Sequence, residues 1–190
     1  MKNKTVAISY GWSGGKWHTK NFANSLKEAG FKLINGINKA DIIIAHSAGC
    51  YRLPKSSRAS LVILIGPPYW PEKSIARRLL KKIRSDTRHI IKHHGISYTI
   101  KKFIWAIIYI LLKPSLTIAA LINHRRLDFL EELKDRKVIM VRNEEDHTCS
   151  PDIETAVKKL AHVHYLKMPG HHDDYYTNPQ PYIDLLLKQL

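Results

Sequence analysis

Three short runs of aliphatic residues constrain this chain more than any other feature: Asp41-Ile42-Ile43-Ile44-Ala45, Leu61-Val62-Ile63-Leu64-Ile65 and Val138-Ile139-Met140-Val141. Each is continuous rather than alternating, as strands buried on both faces of a parallel sheet are. Val6–Tyr10, Phe31–Ile34 and Val163–Met168 add three more strand candidates. Helical patterns separate them. Residues 17–29 place Phe22, Leu26 and Ala29 at helical spacing and stop at Gly30. A helix is expected from about Pro151 to Ala161, with Ser150 as its cap and Pro151 in its first turn, and an amphipathic helix over Pro181–Leu190. Strands alternating with helices place the chain in the α/β class: a mostly parallel sheet flanked by helices, with right-handed crossovers. At 190 residues one domain, 1–190, accounts for the whole length.

Residues 72–126 interrupt this rhythm. Ile75, Leu79 and Ile83 share one helical face, with Arg77, Arg78, Lys81, Lys82 and Arg84 around it. After a His- and Lys-rich stretch, Phe103–Ile122 is almost wholly apolar apart from Lys113, Pro114, Ser115 and Thr117. That length approaches a membrane span, but Lys113-Pro114 places a charge and a helix breaker near its middle. Two shorter helices, forming a buried lid or an interfacial hairpin, fit better, and the segment reads as an inserted helical cap.

The charge is unevenly spread. The net +15 divides into +8 over residues 1–71, +11 over 72–126 and −4 over 127–190. A basic, apolar cap suits an anionic membrane surface. Nucleic acid is a poorer partner, because the cap's aromatics lie inside its apolar run and not among its lysines. Two cysteines, Cys50 and Cys149, form no metal or disulfide pattern and point to a reducing, cytoplasmic location, with the cap peripheral at the inner membrane face. Met1–Tyr10 lacks the apolar core and cleavage site of a signal peptide.

The second apolar run leads directly into Ala45-His46-Ser47-Ala48-Gly49. A strand running into small-x-Ser-x-Gly, with a helix expected to follow, makes a turn so sharp that its flanking positions must be small, and it lifts the serine hydroxyl above the sheet edge. Ala45 replaces the usual first glycine at a cost of one methyl group. Ser47 is thus a candidate nucleophile, which needs a base and a carboxylate to orient that base. Beyond Val141 the loop Arg142–Pro151 offers Asp146 as the acid; Glu144 and Glu145 read as a solvated turn, although either could reach. Beyond Met168 comes Pro169-Gly170-His171-His172-Asp173-Asp174. Gly170 favours His171 as base; the His-Asp-Asp order followed by aromatics and Asn178-Pro179 favours His172, which is assigned, with His171 as the alternative. His46 is expected to pack near the strand end. His89, His93 and His94 have no cysteine or carboxylate at ligand spacing, so neither metal nor cofactor is expected.

Taken with the order Ser, acid, His, the chain resembles the α/β-hydrolase superfamily, and within it the short bacterial serine hydrolases and esterases with a minimal N-terminus. The resemblance covers residues 5–71 and 127–190. It implies Ser47 as nucleophile, Asp146 as acid, His172 as base, and backbone N–H groups of Gly11, Trp12 and Ala48 as the oxyanion hole. It also implies cleavage of an ester or thioester through an acyl-enzyme, here on an acyl-chain or lipid-like substrate near a membrane. The competing reading is a non-catalytic protein of the same fold that binds an anionic surface through the cap.

Overall fold

The computed structural model describes residues 4–12, 14–70, 75–122 and 127–190, and the side chains of these residues except 75–86, 89–90, 93–94 and 120–122. Ser13, Arg125, Arg126, the amphipathic face of 75–84 and the rings of His89, His93 and His94 therefore lie outside it.

The aliphatic runs form the sheet. Strands β1 (Thr5–Ser9), β2 (Lys32–Leu33), β3 (Ile42–His46), β4 (Leu61–Ile65), β5 (Lys137–Asn143) and β6 (Val163–Met168) make one parallel sheet in the order β2-β1-β3-β4-β5-β6. Ile44 lies opposite Ile8 on one side and Ile63 on the other, so β3 and β4 are central. Their side chains alternate between two cores. Ile42 and Ile44 face a layer with Phe22, Leu26, Tyr182 and Ile183, while Ile43 and Ala45 face Leu130, Leu133 and Ile153. Both faces are covered, which is why the runs show no polar alternation. Each buried large aliphatic or Phe side chain contributes about 1.5–3 kcal/mol.

Helices α1 (Lys20–Glu28), α6 (Asp174–Thr177) and α7 (Gln180–Lys188) supply the first layer; α4 (Asp128–Glu131) and α5 (Ile153–Val157) supply the second. Three local expectations change. The helix expected over 151–161 is only Ile153–Val157, with Asp152 at its N-cap; the Ser150 hydroxyl donates to Asp152 Oδ2 (2.8 Å) and accepts from Asp152 N (3.4 Å) just ahead of it. The chain must leave this helix early because Val163 already pairs with Val138. Asp41 lies outside β3, where its carboxylate accepts from Thr5 N (2.8 Å) and Thr5 Oγ1 (2.7 Å). The helix expected after Ser47 is a six-residue 3-10 segment, Ser47–Arg52, ended by extended Leu53 ahead of Pro54. The residue before proline avoids helical geometry, which limits this segment's length.

The cap is inserted between β4 and β5. It consists of a long helix, α2 (Ile75–Leu112), kinked at Gly95 (φ 79°), and α3 (Pro114–Ile122) after a break at Lys113. Only glycine enters that region of φ freely. Among the described residues, polar contacts that fasten the cap to the rest of the chain include Trp12 Nε1 donating to Thr117 Oγ1 (2.9 Å) and Lys102 pairing with Asp173.

Candidate active site

Ser47 ends β3 with φ 52°, the sole non-glycine residue at positive φ among the described residues. Such backbone strain persists only where the surroundings impose it. They do so here through small neighbours. A Cβ on Gly49 would stand 2.6 Å from Tyr10 O and closer still to Ser9 O; one on Gly11 would stand 2.9 Å from Ser47 Cβ. Ser9 Oγ donates to Gly49 O (2.9 Å), tying the end of β1 to this turn. The backbone of residues 9–11 therefore abuts the serine turn, and Arg52 holds it there by donating its guanidinium to Tyr10 O.

Asp146 follows β5 and is almost fully buried. Its Oδ1 accepts from Thr148 N (2.7 Å) and Cys149 N (3.0 Å), and its Oδ2 faces His172 Nδ1 at 2.8 Å. With one oxygen held by two amides, the other is aimed at the imidazole. Arg142, buried beneath this loop, donates to Cys149 O (2.8 Å) and Glu144 O (3.2 Å), so it holds both ends of the loop together. His171 takes a different partner, the exposed Glu145 (Nε2 to Oε2, 2.9 Å). The histidine loop is pinned by Asn143, whose Nδ2 donates to His171 O while its Oδ1 accepts from Tyr182 (2.8 Å). It turns at Gly170 (φ 112°).

His46 packs beneath this pair. Its ring lies between His172 (centroids 4.5 Å) and Tyr175 (4.3 Å), and its Nε2 contacts His172 O at 3.0 Å. Burial, reinforced by the neighbouring His172, pushes His46 down to about 3, so it stays neutral and can donate this bond. Gly66, just after β4, completes the wall: a Cβ there would meet Asp146 Oδ2 at 2.6 Å and His172 Nδ1 at 3.0 Å.

Neither a protein-family profile nor a curated protein matches this sequence. Solved structures do match. A bromoperoxidase from Bacillus anthracis superposes with a TM-score of 0.67 at 14% identity, covering 98% of this chain and 91% of that one. An esterase from Exiguobacterium antarcticum gives 0.65 at 13%, covering 99% and 92%. The thioesterase domain of the curacin biosynthetic pathway gives 0.62 at 12%, covering 97% and 91%. The chain has the α/β-hydrolase fold. Likeness at such identities speaks to architecture alone, so the chemistry rests on the residues themselves.

In this α/β-hydrolase fold Ser47, Asp146 and His172 occupy the ends of β3, β5 and β6, and Gly11, Trp12 and Ala48 flank the serine turn. Several supporting residues had no local signal in the sequence. Gly66 is one, although a glycine closing a central strand marks a close approach. Lys102 is another, reaching Asp173 across 71 positions. His46, His172 and Asp173 bring donor atoms within 4.8 Å of one another. Each is already engaged: His46 with His172 O, His172 with Asp146, Asp173 with Lys102. The group reads as a hydrogen-bonded network around His172 rather than a ligand set.

Proposed function

We propose that this protein is a serine hydrolase that cleaves an ester or thioester through an acyl-enzyme. The observation that carries the reading is the buried Asp146–His172 pair, 2.8 Å apart, beside a serine turn strained to φ 52°. Asp146 holds Nδ1 of His172 protonated, leaving Nε2 with a free lone pair to take the Ser47 proton. Ser47 Oγ then bonds the substrate carbonyl carbon. The resulting oxyanion is stabilised by backbone N–H groups of Ala48 and of Gly11 or Trp12. Collapse breaks the ester bond, and His172 returns its proton to the leaving alcohol or thiol. Water, deprotonated by the same histidine, releases the acid and restores Ser47.

A pocket of about 50 Å³ beside Ala48, lined by Trp12, Tyr51, Arg52, Tyr109, Leu116 and Ala119, bears on the substrate. A benzene ring fills a cavity of roughly 150 Å³. This pocket is smaller, which favours a short group in it. The remainder of the substrate, lipid-like or not, extends outside it. The test is hydrolysis of p-nitrophenyl esters from acetate to decanoate by the wild type and by Ser47→Ala. The reading expects Ser47-dependent turnover that is greatest for acetate or propionate. Equal turnover by Ser47→Ala would reject the mechanism, and a preference for decanoate would reject the pocket assignment.

A further inference from the structure

The second half of α2 is built inside out. Between Gly95 and Leu112 the residues turned toward the rest of the protein are Thr99, Lys102, Ala106 and Tyr109, spaced three and four apart. Thr99 is buried, Lys102 binds Asp173 and the Tyr176 hydroxyl (3.3 Å), and Tyr109 meets the Trp12 ring edge-on at 5.9 Å. The outward stripe has the same spacing but is apolar: Ile96, Ile100, Phe103, Ile104, Ile107 and Leu111 are each half exposed or more. A surface helix ordinarily turns its polar face to water and its apolar face inward. Only 6% of this 18-residue window, mean hydropathy 1.4, is buried, so it is not a core helix. A contiguous apolar surface of this extent marks an interaction site.

We infer that this outward stripe docks onto an anionic lipid bilayer, with α2 lying in the plane of the headgroups. Charge selects the occupant. Between Asp86 and Asp128 the sequence contains no acidic residue and seven lysines and arginines. Two copies of so basic a segment would oppose cation to cation, whereas anionic headgroups complement it. Position selects the orientation. An 18-residue helix is about 27 Å long, close to the bilayer's hydrocarbon thickness. Yet Lys101 and Lys102 lie well inside the window, and Lys102 is held by Asp173 of the globular part. The helix therefore lies alongside the domain and cannot cross the membrane without breaking that pair. A groove of about 490 Å³ between Trp17 and Ile100, Ile104, Trp105 and Ile108 opens on this outer surface, wide enough for acyl chains to enter. On the inner face of the same helix Tyr109 meets Trp12, and both line the small pocket beside Ala48.

Co-sedimentation of the full chain with vesicles tests this independently of catalysis, because Ser47→Ala should bind as the wild type does. Vesicles of phosphatidylcholine containing 30% phosphatidylglycerol, against pure phosphatidylcholine, supply the charge contrast. The expected result is partitioning about tenfold stronger to the anionic vesicles at low salt, and loss of binding in Ile107→Glu/Leu111→Glu, whose exposed positions leave folding intact by circular dichroism. In the wild type, brominated lipid should quench tryptophan fluorescence through Trp105. Three results overturn the inference: no binding to either vesicle, binding unchanged in the double variant, or a dimer in sedimentation velocity that the double variant converts to monomer.

Discussion

Asp146→Asn separates catalysis from stability, and its size follows from the contacts of the two carboxylate oxygens. Oδ1 accepts from Thr148 N at 2.7 Å and from Cys149 N at 3.0 Å, whereas Oδ2 has His172 Nδ1 at 2.8 Å. An asparagine can place its single oxygen on only one side. Turning the NH2 toward the two amides would leave two buried donors facing a donor, at about 1–3 kcal/mol each. The oxygen therefore stays with Thr148 and Cys149, and the NH2 faces His172. The imidazole answers by moving its proton from Nδ1 to Nε2, a change that breaks no hydrogen bond but removes the lone pair that Ser47 needs. Activity on p-nitrophenyl acetate should fall about ten-thousandfold, equivalent to about 5 kcal/mol of barrier. The melting temperature should move by no more than a few degrees. Steady-state kinetics with a parallel thermal melt is the assay. Activity within tenfold of wild type in a folded variant would refute the role given to the Asp146–His172 pair.

His171→Ala should retain activity within a few-fold, because its partner is the exposed Glu145, while His172→Ala should lose essentially all of it; initial rates on the same ester compare the two. Gly49→Ala should destabilise the protein by at least about 1–3 kcal/mol in urea unfolding, since its methyl would overlap backbone carbonyls that cannot move aside. Gly66→Ala combines a φ of 53° with a methyl at 2.6 Å from Asp146 Oδ2, so kcat should drop more sharply than KM changes. His46 and His18, held neutral mainly by burial, titrate at about 3 and about 4 in the folded chain against 6.5 when unfolded. Their unfolded forms bind protons first as pH falls, so this stability is complete above pH 6.5 and is lost progressively from there toward pH 3. The loss reaches at most about 1.4 kcal/mol per pH unit for each group, visible as falling urea midpoints between pH 7 and 4.

The sheet was legible in the sequence because its physics is local. A strand covered on both faces must be apolar at every position, and Ile42-Ile43-Ile44 and Leu61–Ile65 could be little else. Ser47 was legible because the turn it makes tolerates few neighbours, and Gly49 has no room for a methyl. Less local features were harder to read. His171 and His172 are adjacent, and which one meets Asp146 depends on the turn at Gly170 and on Asn143 holding His171 O, contacts that no spacing reveals. The cap's apolar run Phe103–Ile122 was visible, but such a run fits a helix facing a core or facing outward. The direction is set by Lys102 and Thr117, whose partners Asp173 and Trp12 lie 71 and 105 positions away. The short 3-10 segment after Ser47 replaced an expected helix because Arg52 turns back to Tyr10 O and Pro54 follows.

The account depends on Ser47 being a nucleophile, and fluorophosphonate labelling followed by intact-mass and peptide analysis tests that directly. It predicts one phosphonyl adduct per chain, located on Ser47, abolished in Ser47→Ala and strongly slowed in His172→Ala. No adduct on a folded chain, or an adduct that persists in Ser47→Ala, would contradict it.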